Sequence, residues 1–177
     1  MLLISKPSHV TGIAMSTAQD PVSSSELAKV ALSALQSHGC IGWDLDNTLI
    51  GHPASPTLHD FIRGNPSICH VLITFRTDMA GIGPDLAGQA GSVTPEHFAV
   101  VETMDSELAT NFFRLQRQRA KGLFAGPMAF CELEYRSWKG RICARHGGTL
   151  LIDDMTDHVS LGCERHGITL LHPDQLT

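Results

Sequence analysis

Short apolar segments alternate with helix-like segments along most of this 177-residue chain, and this alternation limits the fold more than any other feature. The apolar segments have strand length and little polar alternation, which is typical of parallel strands covered by helices on both faces. The sequence therefore predicts an α/β fold, a Rossmann-like three-layer α/β/α sandwich with a mostly parallel sheet. The five predicted strands cover residues 40–44, 70–75, 98–102, 149–153 and 168–171.

Helices are predicted where apolar residues recur at helical spacing between these strands. The first begins with capping-box spacing between Ser23 and Glu26 and ends at Gly39. Residues 128–131 read as a short strand or a buried loop, and residues 1–22 as an N-terminal arm without periodicity, for which disorder is an alternative. The remaining predicted helices cover residues 57–63, 79–95, 107–121, 137–146 and 156–166.

Composition excludes several classes of protein. Hydrophobic residues make up 42% and charged residues 18%, which favours a packed core over wholesale disorder. A net charge of −5 disfavours a protein that coats nucleic acid. Five cysteines without a C-x-x-C pair support neither a zinc finger nor a disulfide framework, so we expect a cytoplasmic protein. No apolar run approaches the roughly 20 residues that cross a bilayer, so we expect no membrane partner.

Acidic residues follow two of the predicted strands at the points where those strands end. Asp44 and Asp46 come at the end of the first strand, and Asp153, Asp154 and Asp157 at the end of the fourth. The carboxyl ends of parallel strands share one edge of the sheet, which is where ligands bind in open α/β sheets. So many carboxylates need a counter-charge, and Mg²⁺ fits because it prefers carboxylates, water and substrate phosphate.

Two more residues suit phosphate chemistry at the same edge. Thr74 ends the second strand and can hydrogen-bond a phosphoryl oxygen. Lys139, at the predicted start of the helix before the fourth strand, can offset negative charge on a phosphoryl group in transfer. A carboxylate beside a metal-held phosphate suggests nucleophilic attack on phosphorus, with Asp44 and Asp46 sharing nucleophilic attack and proton transfer.

The order of these motifs resembles that of the haloacid dehalogenase (HAD) superfamily of phosphohydrolases, over about residues 40–172. D-x-D-x-T alone is a moderate signal, whereas four motifs in order after predicted strands are far more specific. Phe75 is one departure, because many members have Asn there. The matching motifs are IGWDLDNT (41–48), VLIT (71–74), Lys139 in SWKGR, and LLIDDMTD (150–157).

The resemblance implies a role for each motif residue. It implies that Asp44 is the nucleophile and a metal ligand. Asp46 is implied as the general acid/base, with its backbone carbonyl also on the metal. Thr74 and Lys139 are implied as the catalytic residues that bind the phosphate and balance its charge, and Asp153 as a direct Mg²⁺ ligand.

Further residues are candidates for the same site. Asp154 and Asp157 each fit a variant of the last motif, so either could complete the metal shell. Asn47 and Thr48 are candidate phosphate contacts. Arg76 is another, although it could equally pair with an acidic residue of the last motif.

The implied function is Mg²⁺-dependent hydrolysis of phosphomonoesters through an aspartyl-phosphate on Asp44. The presence of Asp46 favours hydrolysis, because members that lack this acid often transfer phosphate slowly or do other chemistry. A phosphotransferase of the same fold and a non-catalytic module that binds phosphate or Mg²⁺ are the alternatives.

The intervals between the motifs are short. We therefore expect residues 23–177 to form a single HAD-like catalytic domain with little or no cap, and at most a small helical insert within 105–136. Eight of the 13 Lys and Arg residues lie between 114 and 145, opposed there only by Glu132 and Glu134. They form either a rim for a phosphorylated substrate (a small metabolite, a nucleotide or a nucleic-acid end) or a solvated helix face, which is the more common case.

Side chains near these motifs also have expected positions. We expect Trp43 in the core. Phe112 and Phe113 are expected to pack their helix against the protein, or to mark an interface if they are exposed. The histidines near loop ends are expected at the surface or as caps, and they are His52, His59, His158 and His172.

Overall fold

The computed structural model describes residues 24–89, 92–122 and 128–177, so the N-terminal arm expected at 1–22 lies outside the described residues. Its strands are β1 (Cys40–Trp43), β2 (Cys69–Thr74), β3 (Val100–Thr103), β4 (Leu150–Ile152) and β5 (Thr169–Leu171). They form one sheet in the order β3-β2-β1-β4-β5, and every pairing is parallel. This confirms the predicted α/β fold with a parallel sheet.

The described residues form six helices, one before β1 and five between the strands, together with short 3-10 helices at Pro95–His97 and Pro173–Leu176. None of the helices in the described ranges is long and apolar enough to cross a membrane. The helices are α1 (Ser24–Leu35), α2 (Ser55–Gly64), α3 (Ile82–Ala87), α4 (Ser106–Ala120), α5 (Met128–Arg145) and α6 (Thr156–His166).

Helix α5 differs from its prediction. Residues 128–131 belong to its first turn and are neither strand nor loop, and Lys139 lies in the interior of this 18-residue helix instead of at its start. The reason is that α5 contacts α4, α6, β2 and β4. A helix covered from several directions carries no single apolar stripe, which is the signal that sequence periodicity detects.

The core consists of two hydrophobic clusters on opposite faces of the sheet. Trp43 and Leu72 pack on one face with α1, α2 and α3, while Val71 and Ile73 pack on the other face with α4, α5 and α6. Neighbouring residues of β2 thus point to opposite faces, as strand geometry requires. Trp43 is fully buried, as expected. Helices on both faces of a parallel sheet make the three-layer sandwich.

His59 departs from the expectation of a surface histidine, because it is fully buried. Its Nε2 lies 2.8 Å from the carbonyl oxygen of Leu49, and its Nδ1 accepts a hydrogen bond from the Val93 amide at 3.4 Å. Burial lowers the pKa of His59, so the ring is neutral at pH 7. The ring thereby ties the loop that follows β1 to helix α2 and to Val93.

Helices α5 and α6 approach each other at two glycines. A Cβ atom on Gly140 would overlap the backbone of Gly162, and a Cβ atom on Gly162 would lie 2.7 Å from the carbonyl oxygen of Ser137. Contact this close requires glycine on both helices. It holds Lys139, the residue before Gly140, next to the end of strand β4.

We predict that Gly140→Ala lowers the free energy of unfolding by about 2–3 kcal/mol, since the helices must separate to admit a methyl group. Urea denaturation followed by circular dichroism measures the change. Gly64→Ala is the matched control, because a Cβ there meets no atom within 4 Å. Equal stability of the two variants would contradict the proposed helix contact.

Candidate active site

A buried lysine bridges two buried aspartates at the carboxyl ends of the central strands. Lys139 Nζ donates to Asp44 Oδ1 at 2.5 Å and to Asp153 Oδ2 at 2.6 Å. All three residues are at most 4% exposed. Buried charges persist only when they are paired and hydrogen-bonded, so these three groups form one electrostatic unit.

The sheet itself positions the two aspartates. Strands β1 and β4 are neighbours, and the Asp44 amide donates to the Ile152 carbonyl at 2.9 Å, which continues the ladder one residue beyond β1. Asp153 is fixed in the same way, since its amide donates to the Leu171 carbonyl at 3.1 Å. Its Oδ1 also accepts a hydrogen bond from the Met155 amide at 2.8 Å. The backbone therefore fixes both carboxylates before any ligand arrives.

The charges in this unit do not balance. Burial raises the pKa of Asp44 to about 7, against the opposing effect of the Lys139 ammonium. Burial alone would lower the pKa of Lys139, but Asp44 and Asp153 outweigh it and hold that pKa above its ordinary value. One ammonium thus faces two carboxylates, and this favours a further cation.

Three carboxylates can bind such a cation together. Asp44, Asp153 and Asp154 each offer an oxygen, and the three oxygens lie within 4.8 Å of one another. Asp154 is partly exposed and lines a cavity above the pair. Asp157 lies exposed in the first turn of α6, and within the described ranges its side chain does not join this group.

Asp46 and Arg76 form a separate ion pair beside the cluster. Arg76 donates from Nε to Asp46 Oδ2 at 3.0 Å and from Nη2 to Asp46 Oδ1 at 2.5 Å. Its Nη1 donates to Asp85 Oδ2 at 2.5 Å. Arg76 therefore pairs with none of the three carboxylates after β4, and its side chain is engaged by Asp46 and Asp85. The sequence did not predict that Arg76 pairs with Asp46 and Asp85. Asp85 lies on α3 with no motif around it.

The three remaining candidate residues have different positions. Thr74 is buried, lines the cavity, and its hydroxyl accepts a hydrogen bond from the Arg76 amide at 3.2 Å. Asn47 is exposed, lines the cavity and has φ of 56°, a left-handed conformation that Asn tolerates. Thr48 is fully buried and is not a cavity-lining residue, and its hydroxyl lies 3.5 Å from Asp44 Oδ2. It therefore orients Asp44, a position different from the expected phosphate contact.

The cavity above Asp44 has a volume of about 350 Å³. On one side it is lined by acidic and polar residues, which include Asp44, Asp46 and Asp154. The lining also includes an aromatic wall, formed by Phe75, Phe112, Phe113 and Tyr135. The sequence did not indicate that these four rings form one surface.

The basic stretch between residues 114 and 145 does not form one continuous rim. Lys139 is buried in the site, and Arg145 pairs with Glu102 at 2.5 Å. Arg141 pairs with Glu134 at 3.1 Å. Arg119 and Arg136 both approach Glu132, at 3.6 and 3.9 Å. This pattern favours a solvated helix face over a rim for an anionic substrate.

Comparisons with known proteins give limited matches. No protein-family profile and no curated protein matches the sequence. A solved structure that matches is the N-terminal part of a Bacteroides fragilis protein containing a phosphatase domain, complexed with Mg. The two chains are 13% identical with a TM-score of 0.44, and the match covers 82% of this chain and 40% of the other. The chain thus spans less than half of that structure.

We predict that Lys139→Met lowers the free energy of unfolding by about 3–5 kcal/mol in chelator, because it leaves two buried carboxylates without a cation. Adding Asp153→Asn should restore part of the loss, since it removes one of those charges. Urea unfolding of the single and double variants measures the coupling. Lys121→Met, at an exposed position after α4, is the control and should change stability by less than about 0.5 kcal/mol. Strict additivity of the two substitutions would contradict the bridging role of Lys139.

Proposed function

We propose that this protein is a Mg²⁺-dependent phosphomonoesterase of the HAD type, with Asp44 as its nucleophile. The observation that carries the proposal is the Lys139 ammonium held between Asp44 and Asp153, with Asp154 beside them at the edge of an open cavity. A purely structural ion pair has no need of extra carboxylates at the mouth of a cavity. This arrangement suits a substrate that arrives with a negative charge and a divalent cation.

The donor atoms fit Mg²⁺. Asp44, Asp153 and Asp154 provide hard oxygen ligands from two adjacent strand ends, and Lys139 offsets only part of their negative charge. When bound, Mg²⁺ would supply positive charge that draws electrons from the phosphoryl oxygens. Asp154, the most exposed of the three, is proposed as the residue that completes the metal shell in place of Asp157.

Asp44 is suited to attack phosphorus. Lys139 holds Oδ1, while the Thr48 hydroxyl makes a long contact of 3.5 Å with Oδ2. In the proposed first step, Asp44 Oδ2 forms a bond to phosphorus and the bond from phosphorus to the ester oxygen breaks. Thr74 and Lys139 line the same cavity and can stabilise the charge on the phosphoryl oxygens.

Asp46 is suited to move the protons. In the first step it donates a proton to the departing alcohol oxygen. In the second step it accepts one from the water that attacks phosphorus, and the bond from phosphorus to Asp44 Oδ2 breaks, which releases phosphate and restores Asp44. Arg76 donates two hydrogen bonds to Asp46, one to each side-chain oxygen. A protonated Asp46 can accept only one of these bonds well, so its contact with Arg76 must loosen when it acts as an acid.

We predict that the purified protein with Mg²⁺ releases phosphate from p-nitrophenyl phosphate, and that Asp44→Asn lowers kcat by about a thousandfold or more, because it removes the nucleophile. Asp60→Asn is the control, since Asp60 is an exposed acid on α2 that pairs with Arg63. Equal turnover by wild-type protein and Asp44→Asn would contradict the proposal.

The same assay separates hydrolysis from transfer. Adding an alcohol acceptor to a hydrolase should leave phosphate as the main product, because water already reaches the open site. Phosphate release that depends on the acceptor would instead identify a phosphotransferase.

We predict that Asp154→Asn raises the Mg²⁺ concentration needed for half-maximal activity by about 10- to 100-fold, the size expected when a residue of a metal site is lost. Asp157→Asn should leave it within about twofold of wild type. Calorimetric titration of Mg²⁺ into each protein without substrate gives a second readout that does not depend on turnover. A larger effect from Asp157→Asn than from Asp154→Asn would reverse this assignment.

A further inference from the structure

The aromatic wall of the cavity is a rigid surface. Tyr135 is stacked between two rings, with Phe75 at 4.6 Å and 12° and Phe112 at 3.8 Å and 8°. The Lys139 ammonium lies 4.3 Å from the centre of the Phe75 ring, which connects the stack to the charged cluster. A ligand that contacts this wall therefore meets groups whose positions are already fixed, so little conformational entropy is lost on binding.

Phe113 is the most exposed ring of this wall. It packs edge-on against Phe112 at 5.5 Å and 70°, and against Tyr135 at 6.1 Å and 72°. Its side chain is 52% exposed although it lines the cavity. The rings of Phe112 and Tyr135 are buried, with their faces used inside the stack. Phe113 thus keeps exposed aromatic surface that a ligand in the cavity can contact.

Apolar and flat groups also lie elsewhere on the cavity lining. Met155 lines it with 39% of its surface exposed, and His158 lines it from an exposed position on α6. A thioether and an imidazole both make favourable contacts with aromatic rings. The volume of about 350 Å³ is at the small end of ligand sites, enough for a phosphoryl group and a group of about one or two rings.

We propose that the site selects phosphomonoesters whose alcohol carries a planar aromatic or heteroaromatic ring, which would lie against Phe113 while the phosphoryl group meets Asp44. The proposal rests on the proposed function and adds the substrate class to it. Sugar and polyol phosphates can satisfy the charged cluster but have no planar ring for the wall. The chemistry of the lining therefore favours ring-bearing esters among phosphorylated small molecules.

The first test compares pairs of esters that differ in the ring and release similar primary alcohols. Benzyl phosphate is compared with cyclohexylmethyl phosphate, and adenosine 5′-phosphate with ribose 5-phosphate. Because the departing oxygen is attached to a CH₂ group in each case, differences in kcat/KM report recognition more than leaving-group chemistry. We expect the ring-bearing member to be favoured by about fivefold or more, the size expected for one aromatic contact. A ratio near one in both pairs overturns the proposal.

The two pairs also identify the source of the ring. Preference in both pairs indicates that any planar ring suffices, and preference for adenosine 5′-phosphate alone indicates a nucleoside. Preference for benzyl phosphate alone indicates a ring close to the phosphate. All three results support ring recognition.

The second test uses Phe113→Leu with Phe130→Leu as its matched control. Phe130 is 70% exposed on the neighbouring helix α5 and is not a lining residue of this cavity. Phe113→Leu should bring the benzyl-to-cyclohexylmethyl ratio close to one, whereas Phe130→Leu should retain the wild-type ratio. If Phe113→Leu changes the molecular mass in sedimentation and leaves the ratio unchanged, the ring belongs to a contact between chains and the proposal is overturned.

A binding measurement separates failure of this proposal from failure of the proposed function. Benzylphosphonate and cyclohexylmethylphosphonate cannot be hydrolysed, so calorimetry with Mg²⁺ present compares their affinities directly. Tighter binding of benzylphosphonate without turnover of any ester would support the aromatic site and contradict the phosphatase. Turnover with equal binding of both phosphonates would support the phosphatase and overturn the aromatic site.

Discussion

The contact of Lys139 with Asp44 and Asp153 is the interaction on which the rest of the site depends. Removing ionisable groups from water is costly, and the hydrogen bonds from Lys139 to both aspartates offset part of that cost. That contact requires β1 and β4 to be neighbours and α5 to lie against the sheet beside them. The parallel ladder supplies the first condition, and the close approach of α5 to α6 at Gly140 supplies the second.

The site has a buried charged floor, formed by Lys139, Asp44 and Asp153, and a more exposed upper part, which includes Asp46 and the aromatic wall. The floor keeps more carboxylates than ammonium groups, and this excess is the physical reason for proposing a divalent cation there. Above it, Asp46 is held by Arg76 from one side, and the aromatic residues line another. We propose that the floor carries the chemistry common to phosphomonoesters and that the upper part selects among them.

The sequence predicted the parallel sheet because its strands are apolar along their length, and it predicted that Asp44 and Asp153 would meet because strand ends share an edge. Lys139 was expected at the same edge from the start of a helix, whereas it lies in the interior of α5. The sequence did not predict features that exist only through tertiary contacts. The pairing of Arg76 with Asp46 joins residues from separate loops, and no local pattern indicates it. The apolar periodicity did not indicate the length of α5, because this helix is covered from several directions. The aromatic wall was also not predicted, because its rings come from the residue after β2, from α4 and from α5, and they share no spacing.

The most direct test of the account is to look for the phosphoryl group on Asp44. Wild-type protein turning over p-nitrophenyl phosphate with Mg²⁺ is quenched in acid, digested, and analysed by mass spectrometry. The peptide containing Asp44 is expected to gain the mass of one phosphoryl group during turnover. Fragmentation should assign that group to Asp44, and the adduct should disappear once the substrate is consumed. Inversion of configuration at a chiral phosphorus, without any adduct on Asp44, would show direct attack by water and contradict the account.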